Sequence, residues 1–338
     1  MKPVELLTTI NFTEDEVDML KEASHQVKVR FQPTRKAEEI SREVWEKVEI
    51  LYTDRVLPQP EWVPQLRWVQ FHYAGIDFAV QHPLMQTGGI TFTTQSGSSA
   101  SQVAEYILMM LLSTGHKLPE MMHHQSEKLW SPKRWELFSP LELRGATVAL
   151  IGYGSIARQT ARLLQPFGAQ ILAVKRNVFQ PQDQGYILEG QGDAGGDYFT
   201  RLYPIEALQS VLRASDFIVI TLPLTSQTRL LIGKEELSVC KSSAYLVNVS
   251  RGGIVDEVAL AEALQENRLA GAALDVFQQE PLPAEDPLWS LPNLLITPHI
   301  AGNSRYYNQR SITLFIDNLH RFLAGESLFN VYNPENEY

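Results

Sequence analysis

The stretch Thr147-Val-Ala-Leu-Ile-Gly152-Tyr-Gly154-Ser-Ile-Ala157 decides how the rest of this 338-residue sequence is read. A mostly apolar, β-prone run enters Gly-x-Gly-x-x-Ala, and a helical pattern over residues 158–164 follows. Each small residue has a mechanical reason. Gly152 permits a tight turn, Gly154 lets a pyrophosphate approach the backbone, and Ala157 lets the next helix sit close to the strand. The unpaired N–H groups and positive end of that helix suit phosphate oxygens. A lone glycine turn says little. Here it has a strand before it, a helix after it, and a second strand at residues 170–174, which together point to dinucleotide binding. Gly152, Gly154, Ser155 and Ile156 are the cradle positions.

Short apolar runs alternate with helical patterns on both sides of this stretch. Residues 4–8, 26–29, 49–52, 66–71 and 90–93 read as strands, and residues 13–23 open on a Thr-Glu-Asp-Glu start that suits a helix N-terminus. Residues 101–113 are apolar on most sides and predict a buried helix. Beyond the glycine turn, strands are expected at 217–221, 244–249, 272–276 and 294–297, with a last amphipathic helix at 304–323 capped by Gly325. Residues 186–198, rich in Gly and Asp, read as a long exposed loop. The alternation predicts an α/β chain of two doubly wound parallel-sheet domains. A Rossmann cofactor domain (103–302) would be inserted into a discontinuous, flavodoxin-like substrate domain (1–102 and 303–338). The two crossings would form a hinge suited to a cleft that opens and closes.

Composition narrows the partners. The 39 acids outnumber the 29 bases for a net charge of −10, which argues against general nucleic-acid or anionic-membrane binding. An anionic ligand must then be held by a locally arranged positive site. The apolar fraction, 44%, is ordinary for a globular protein. The single cysteine, Cys240, excludes internal disulfides and CxxC motifs, fits a reducing cytoplasm, and reads as a small buried apolar residue. MKPVELLTTI carries an acid at Glu5 and does not read as a signal peptide, and the densest apolar run, 106–112, is short for a membrane span. His123 and His124 have no third ligand at helical spacing, so no metal is expected.

Two features specify the chemistry. The strand at 170–174 ends in Lys175-Arg176-Asn177, with no acid before Asp183, where an NAD site places Asp or Glu on the ribose hydroxyls. A guanidinium suits a 2′-phosphate, so NADP(H) is expected, with NAD(H) as the possible second cofactor. Three later strands then deliver unusual residues at their ends: Arg251 in Ser-Arg-Gly-Gly, Glu280 in Gln-Gln-Glu-Pro beyond Asp275, and His299 in Pro-His-Ile-Ala-Gly. Reduction of a 2-oxo acid needs a planar bidentate cation for carboxylate and carbonyl oxygen, which Arg251 supplies. It needs a proton donor near neutral pH, which His299 supplies, and a carboxylate on the other ring nitrogen, which fits Glu280.

At this point the sequence resembles the D-isomer-specific 2-hydroxyacid dehydrogenases. The matching stretches are VALIGYGSIA (148–157), TLPLTSQT (221–228), LVNVSRGGIVDE (246–257), ALDVFQQEPLP (273–283) and TPHIAGNS (297–304), with YAGIDF (73–78), SQVAEYIL (101–108) and NLHRFLAGESLFNVYN (318–333) besides. The resemblance implies a catalytic Arg251–Glu280–His299 set. It implies that Asp275 binds the nicotinamide amide, that Pro223 and Thr225 touch the cofactor, and that the amides of Ala74 and Gly75 hold the substrate carboxylate. It also implies a homodimer joined through the cofactor domains, acting on a small 2-keto or 2-hydroxy acid. Many members carry Arg where Ser155 stands, and the Lys175-Arg176 pair is similar to the family's NADP-using glyoxylate and hydroxypyruvate reductases. The alternative reading is a cofactor-sensing regulator of the same fold with little or no turnover, which the acidic composition disfavours. Tyr52, His72, Tyr73, Tyr306 and Tyr307 are open to two readings, as substrate-sizing residues or as plain packing. The run from Trp130 to Trp135 is likewise open, to pocket lining or dimer contact.

Overall fold

The computed structural model of the protein describes residues 2–338 and divides into two compact units, one running up to Ser99 and resuming at Ser304–Tyr338, the other Ala100–Asn303. In the first unit β1 (Val4–Thr8), β2 (Val27–Phe31), β3 (Ile50–Thr53), β4 (Trp68–Phe71) and β5 (Thr91–Thr93) form a parallel sheet in the order β2-β1-β3-β4-β5. β3 and β4 are buried along their whole length, as strands of a parallel sheet covered on both faces must be. The helices of this unit are α1 (Glu14–Glu22), the single turn α2 (Arg42–Trp45), and, at the far end of the chain, α10 (Tyr307–Ala324). Thr13 and Glu16 close a reciprocal capping box on α1. Gly325, at φ +73°, takes the left-handed position that ends α10. Phe315 of α10 stacks on Tyr52 at 4.4 Å and on Trp68 at 5.1 Å between ring centroids, which fastens the returning helix to β3 and β4.

The second unit holds α3 (Ala100–Gly115), α4 (Leu118–Ser126), α5 (Arg134–Leu137), β6 (Thr147–Ile151), α6 (Ser155–Leu164), β7 (Gln170–Val174), β8 (Arg201–Tyr203), α7 (Leu208–Ala214), β9 (Phe217–Ile220), α8 (Lys234–Ser238), β10 (Tyr245–Asn248), α9 (Glu257–Gln265), β11 (Gly271–Leu274) and β12 (Leu294–Ile296). Its sheet is parallel in the order β12-β11-β10-β9-β6-β7-β8, so the winding reverses between β6 and β9. Ligands of doubly wound sheets bind outside the strand carboxyl ends at such a reversal. α3 buries Val103, Ile107, Met110 and Leu111 in a core shared with Ala157 and Ala161 of α6 and Val148 and Leu150 of β6. The small alanines keep the layers close. β8 is an edge strand of three residues, too short to announce itself by alternation. The expectation of an exposed loop at 186–198 is corrected: Tyr186 and Asp193 are buried, because the segment folds down onto α6. Among the described residues, no helix is long and apolar enough to cross a membrane, and no group of three or more His, Cys, Asp or Glu is placed to hold a metal ion.

The first unit carries a buried polar chain behind the loop that follows β4. Gln95 Nε2 donates to the Tyr52 hydroxyl (3.2 Å), which lies 2.9 Å from His72 Nδ1. His72 Nε2 lies 3.2 Å from Asn308 Oδ1, and Asn308 Nδ2 donates to Glu16 Oε2 at 3.2 Å. One proton arrangement satisfies every pair: Tyr52 donates to Nδ1 and His72 donates from Nε2, so the ring is neutral. Burial pushes the His72 pKa down to about 4. Tyr52 and His72 are therefore core residues rather than pocket walls, while Tyr73 and Tyr306 are exposed. Between the unfolded value near 6.5 and the folded value, the unfolded chain binds the extra proton, so stability falls as pH falls through that window. The loss should reach ~3 kcal/mol by pH 4. Denaturation at pH 7 and pH 5 should show the wild-type midpoint dropping more than that of His72→Gln; equal drops would remove His72 from the acid response.

Candidate active site

The glycine turn has the shape its residue types require. Gly152 sits at φ +100°, and a Cβ there would lie 2.9 Å from Leu222 Cδ2 and 3.1 Å from the Thr221 carbonyl. Thr221 Oγ1 donates to the Gly152 carbonyl at 2.8 Å, tying the end of β9 to the end of β6 at the sheet reversal. Gly154 is different: a Cβ there would meet nothing within 4 Å. Gly154 is also the N-cap of α6, and no side chain caps that helix end. Backbone N–H groups facing open space at a helix N-terminus form an anion cradle. Across the reversal, the loop after β9 is knit by hydroxyls: Thr225 N donates to Thr228 Oγ1 (2.8 Å), which donates to the Pro223 carbonyl (2.6 Å). Thr228 was not singled out from the sequence, although the Thr-x-x-Thr spacing signals such a turn.

The expected catalytic residues lie beyond the carboxyl ends of three neighbouring strands, β10, β11 and β12. His299 Nδ1 is 2.7 Å from Glu280 Oε2. Glu280 Oε1 accepts from the Phe277 amide at 3.0 Å, so the carboxylate is oriented by its own loop. The Glu280 contact fixes the proton on Nδ1 and leaves Nε2 to exchange a proton with a ligand. Arg251 follows β10. Its neighbour Gly252 lies so near β11's loop that a Cβ would come within 1.9 Å of the Phe277 carbonyl oxygen. Only glycine allows these two loops to touch. Arg251 Nη1 donates to the Ser250 carbonyl (2.8 Å), and Asn248 Nδ2 holds the Arg251 carbonyl (3.0 Å). Glu257, at the start of α9, accepts from the Gln278 amide (2.6 Å) and steadies the same loop.

Asp275 is almost fully buried at the end of β11. Its Oδ1 accepts from the Ile300 amide (3.0 Å), Thr297 Oγ1 (2.8 Å) and the Tyr106 hydroxyl (3.3 Å), and its Oδ2 from the Ala301 amide (2.8 Å). These bonds hold the loop on which His299 sits at φ +51°. At the other edge, Lys175 and Arg176 diverge. The Lys175 ammonium donates to the Gln180 and Gln182 carbonyls, whereas Arg176 is exposed at the end of β7. In the first unit, Ala74 and Gly75 lie in the loop after β4, which is held where Gln95 N donates to the Tyr73 carbonyl and Tyr307 Oη donates to the His72 carbonyl.

Residues 108–301, more than half the chain, match the family described as D-isomer specific 2-hydroxyacid dehydrogenase, NAD binding domain. The chain belongs to this family. It is 33% identical to a glyoxylate reductase of Korarchaeum cryptofilum over 81% of this chain and 78% of that one. It is 31% identical to the D-3-phosphoglycerate dehydrogenase of Methanocaldococcus jannaschii over 73% of this chain, and spans only 44% of that longer protein. Among solved structures, it resembles a D-isomer specific 2-hydroxyacid dehydrogenase of Xanthobacter autotrophicus Py2 in complex with NADPH and MES, at a TM-score of 0.82 and 25% identity across the whole of both chains. The 2-hydroxyacid dehydrogenase is thus an NAD(P)-dependent oxidoreductase, and the uncapped turn at Gly152 and Gly154 fits a dinucleotide pyrophosphate.

The two glycines of this dehydrogenase should fail differently. Gly152→Ala should destabilise the fold by ~1–3 kcal/mol through its positive φ and the Leu222 contact. Gly154→Ala should change stability by less than ~1 kcal/mol yet weaken dinucleotide binding at least tenfold. Thermal unfolding and calorimetric titration of each variant separate the two effects; tight binding by Gly154→Ala would remove that position from the cradle.

Proposed function

We propose that this enzyme transfers hydride between NADP(H) and a small 2-oxo or 2-hydroxy acid of D configuration, with glyoxylate- or hydroxypyruvate-type substrates favoured. The observation that carries the reading is the His299–Glu280 pair at 2.7 Å, on strand ends adjoining that of Arg251, in the same unit as the uncapped glycine turn. The bound nicotinamide supplies or accepts the hydride. Arg251 binds the substrate carboxylate and polarises the carbonyl oxygen, because a guanidinium presents paired donors in one plane. As that oxygen gains charge, His299 delivers the proton from Nε2, and Glu280 stabilises the imidazolium through Nδ1 and then the neutral ring that remains. In oxidation the same groups act in reverse. The Ala74 and Gly75 amides are assigned to the substrate carboxylate, and Gly152, Gly154, Ser155, Ile156, Pro223, Thr225 and Asp275 to the cofactor.

The NADP preference rests on the end of β7, where Arg176 is exposed and no acid precedes Asp183. The named relatives favour no single substrate: one is a glyoxylate reductase, another a phosphoglycerate dehydrogenase. A cytoplasmic homodimer belongs to the same reading. The α4–α5 region leaves Met122, Leu129, Trp130 and Trp135 exposed, an apolar surface suited to a second subunit.

One charge-assisted bond of about 1.5–3 kcal/mol to the 2′-phosphate implies kcat/KM roughly 10- to 150-fold higher with NADPH than with NADH. A panel of 2-keto acids assayed with both cofactors measures this; equal or better use of NADH would refute the preference. His299→Ala should lower kcat by ~10²–10⁴ while the NADPH Kd, from calorimetry, stays within about twofold. Near-normal turnover would take His299 out of the mechanism.

A further inference from the structure

The segment between β7 and β8 is held down by charges for which hydride transfer has no use. Lys175 Nζ donates to the Gln180 carbonyl at 2.5 Å and to the Gln182 carbonyl at 3.3 Å. The carbonyl between them, that of Pro181, accepts from Arg158 Nη2 at 2.6 Å. Successive carbonyls of one turn are thus gripped by a cation from the end of β7 and another from α6. Arg158 is buried, its Nη1 donating to the Asp193 carbonyl (2.6 Å), its Nε lying 3.5 Å from Asp183 and its guanidinium 4.7 Å from the Tyr153 ring centroid.

Asp193 is the far anchor. Its carboxylate accepts from the Gly196, Asp197 and Tyr198 amides and, at 2.6 Å, from the hydroxyl of Tyr153. Burial alone would raise its pKa, but the bonds from Tyr153, Asp197 and Tyr198 and the Arg158 charge hold it below the usual carboxylate range. Gln159 Oε1 accepts from the Gly192 amide (2.6 Å) and adds a further tie to α6. A buried guanidinium and carboxylate are costly unless every partner is present. Here the partners join three places: Tyr153 inside the glycine turn, Arg158 in α6, and Lys175 beside Arg176.

We propose that residues 177–198 form a strap that fixes the turn after β7 and so makes selectivity between 2′-phosphorylated and unphosphorylated dinucleotides depend on Tyr153, Asp193 and Lys175. This rests on the NADP reading above. Arg176 is the residue that meets the 2′-phosphate. Lys175 is a positioning residue: its ammonium is turned to the strap's carbonyls. Loosening the strap frees the turn, so Arg176 meets the phosphate in fewer conformations.

Adenosine 2′,5′-bisphosphate and 5′-AMP, titrated calorimetrically, isolate the 2′-phosphate without turnover. The unmodified protein should bind the bisphosphate at least tenfold more tightly, and Arg176→Gln should abolish the difference. Tyr153→Phe and Lys175→Met should each cut the preference at least threefold, leave 5′-AMP affinity within twofold, and raise amide exchange across 177–198. Asp193→Asn should do the same more strongly; the two milder variants keep the test valid if it does not fold. Equal binding of both probes by the unmodified protein would overturn the NADP reading and the selectivity role together. A full preference retained by Tyr153→Phe and Lys175→Met, with or without faster exchange, would overturn the strap alone.

Discussion

A buried carboxylate at the end of β11 determines where the imidazole at the end of β12 stands. Asp275 accepts the amides of Ile300 and Ala301, the two residues after His299, and the hydroxyl of Thr297, two residues before it. Between those fixed points His299 takes φ +51°, a left-handed conformation that costs a non-glycine residue about 1–2 kcal/mol. Charge-assisted bonds from amides and a hydroxyl offset that strain and the burial of the carboxylate together. Gln102 adds a bond to the Gly302 carbonyl, and Tyr106, one helical turn on, reaches Asp275 itself, so one face of α3 backs the same loop. The His299 ring is exposed, but its backbone is fastened to the core. Mobility of the ring is thereby separated from mobility of the chain.

Much of this was legible in the sequence because parallel strands put function at their carboxyl ends. The strand from Thr147 to Ile151, its glycine turn, and the positions of Arg251, Glu280 and His299 just past apolar runs all follow from local pattern. What escaped was set by distant partners. Nothing around Asp193 marks it as buried, since its donors include Tyr153, forty residues earlier in the chain. β8 is too short for its alternation to register. Lys175 and Arg176 read as one basic pair at a strand end, yet Lys175 bonds two distant backbone carbonyls while Arg176 is exposed. The same limit applies to Tyr52 and His72, whose aromatic character fitted a pocket wall until burial placed them in the core.

The sheet's carboxyl edge divides its work at the reversal of strand order. On the β6 and β7 side the demand is for positive potential without buried cations at the phosphate itself, and backbone N–H groups meet it. This resolves the tension between a net charge of −10 and an anionic cofactor, because the field at a helix N-terminus is local and screened within about a Debye length. On the β10 to β12 side, titratable and planar groups stand beyond the strand ends instead: Arg251, Glu280 and His299. The loop of Pro223 and Thr225 lies between them, closed by Thr228.

The Arg251 loop reaches the Glu280 loop through backbone contact, and this sets a strict condition on sequence. The missing side chain of Gly252 is what lets the chain pass the Phe277 carbonyl. The Phe277 amide, on the other side of the same residue, orients Glu280, and Glu280 orients His299. A single residue thus transmits position from the arginine's strand to the imidazole's, with its carbonyl side pressed by one loop and its amide bonded within the other. Replacing Arg251 by lysine would keep the charge and lose the plane; adding a methyl at Gly252 would keep the side chains of Arg251, Glu280 and His299 and lose the geometry. The second change is the more damaging in kind, because packed backbone cannot yield as a side chain can. Placement of the His299–Glu280 pair is therefore a property of strand spacing and one absent Cβ before it is a property of the titratable groups.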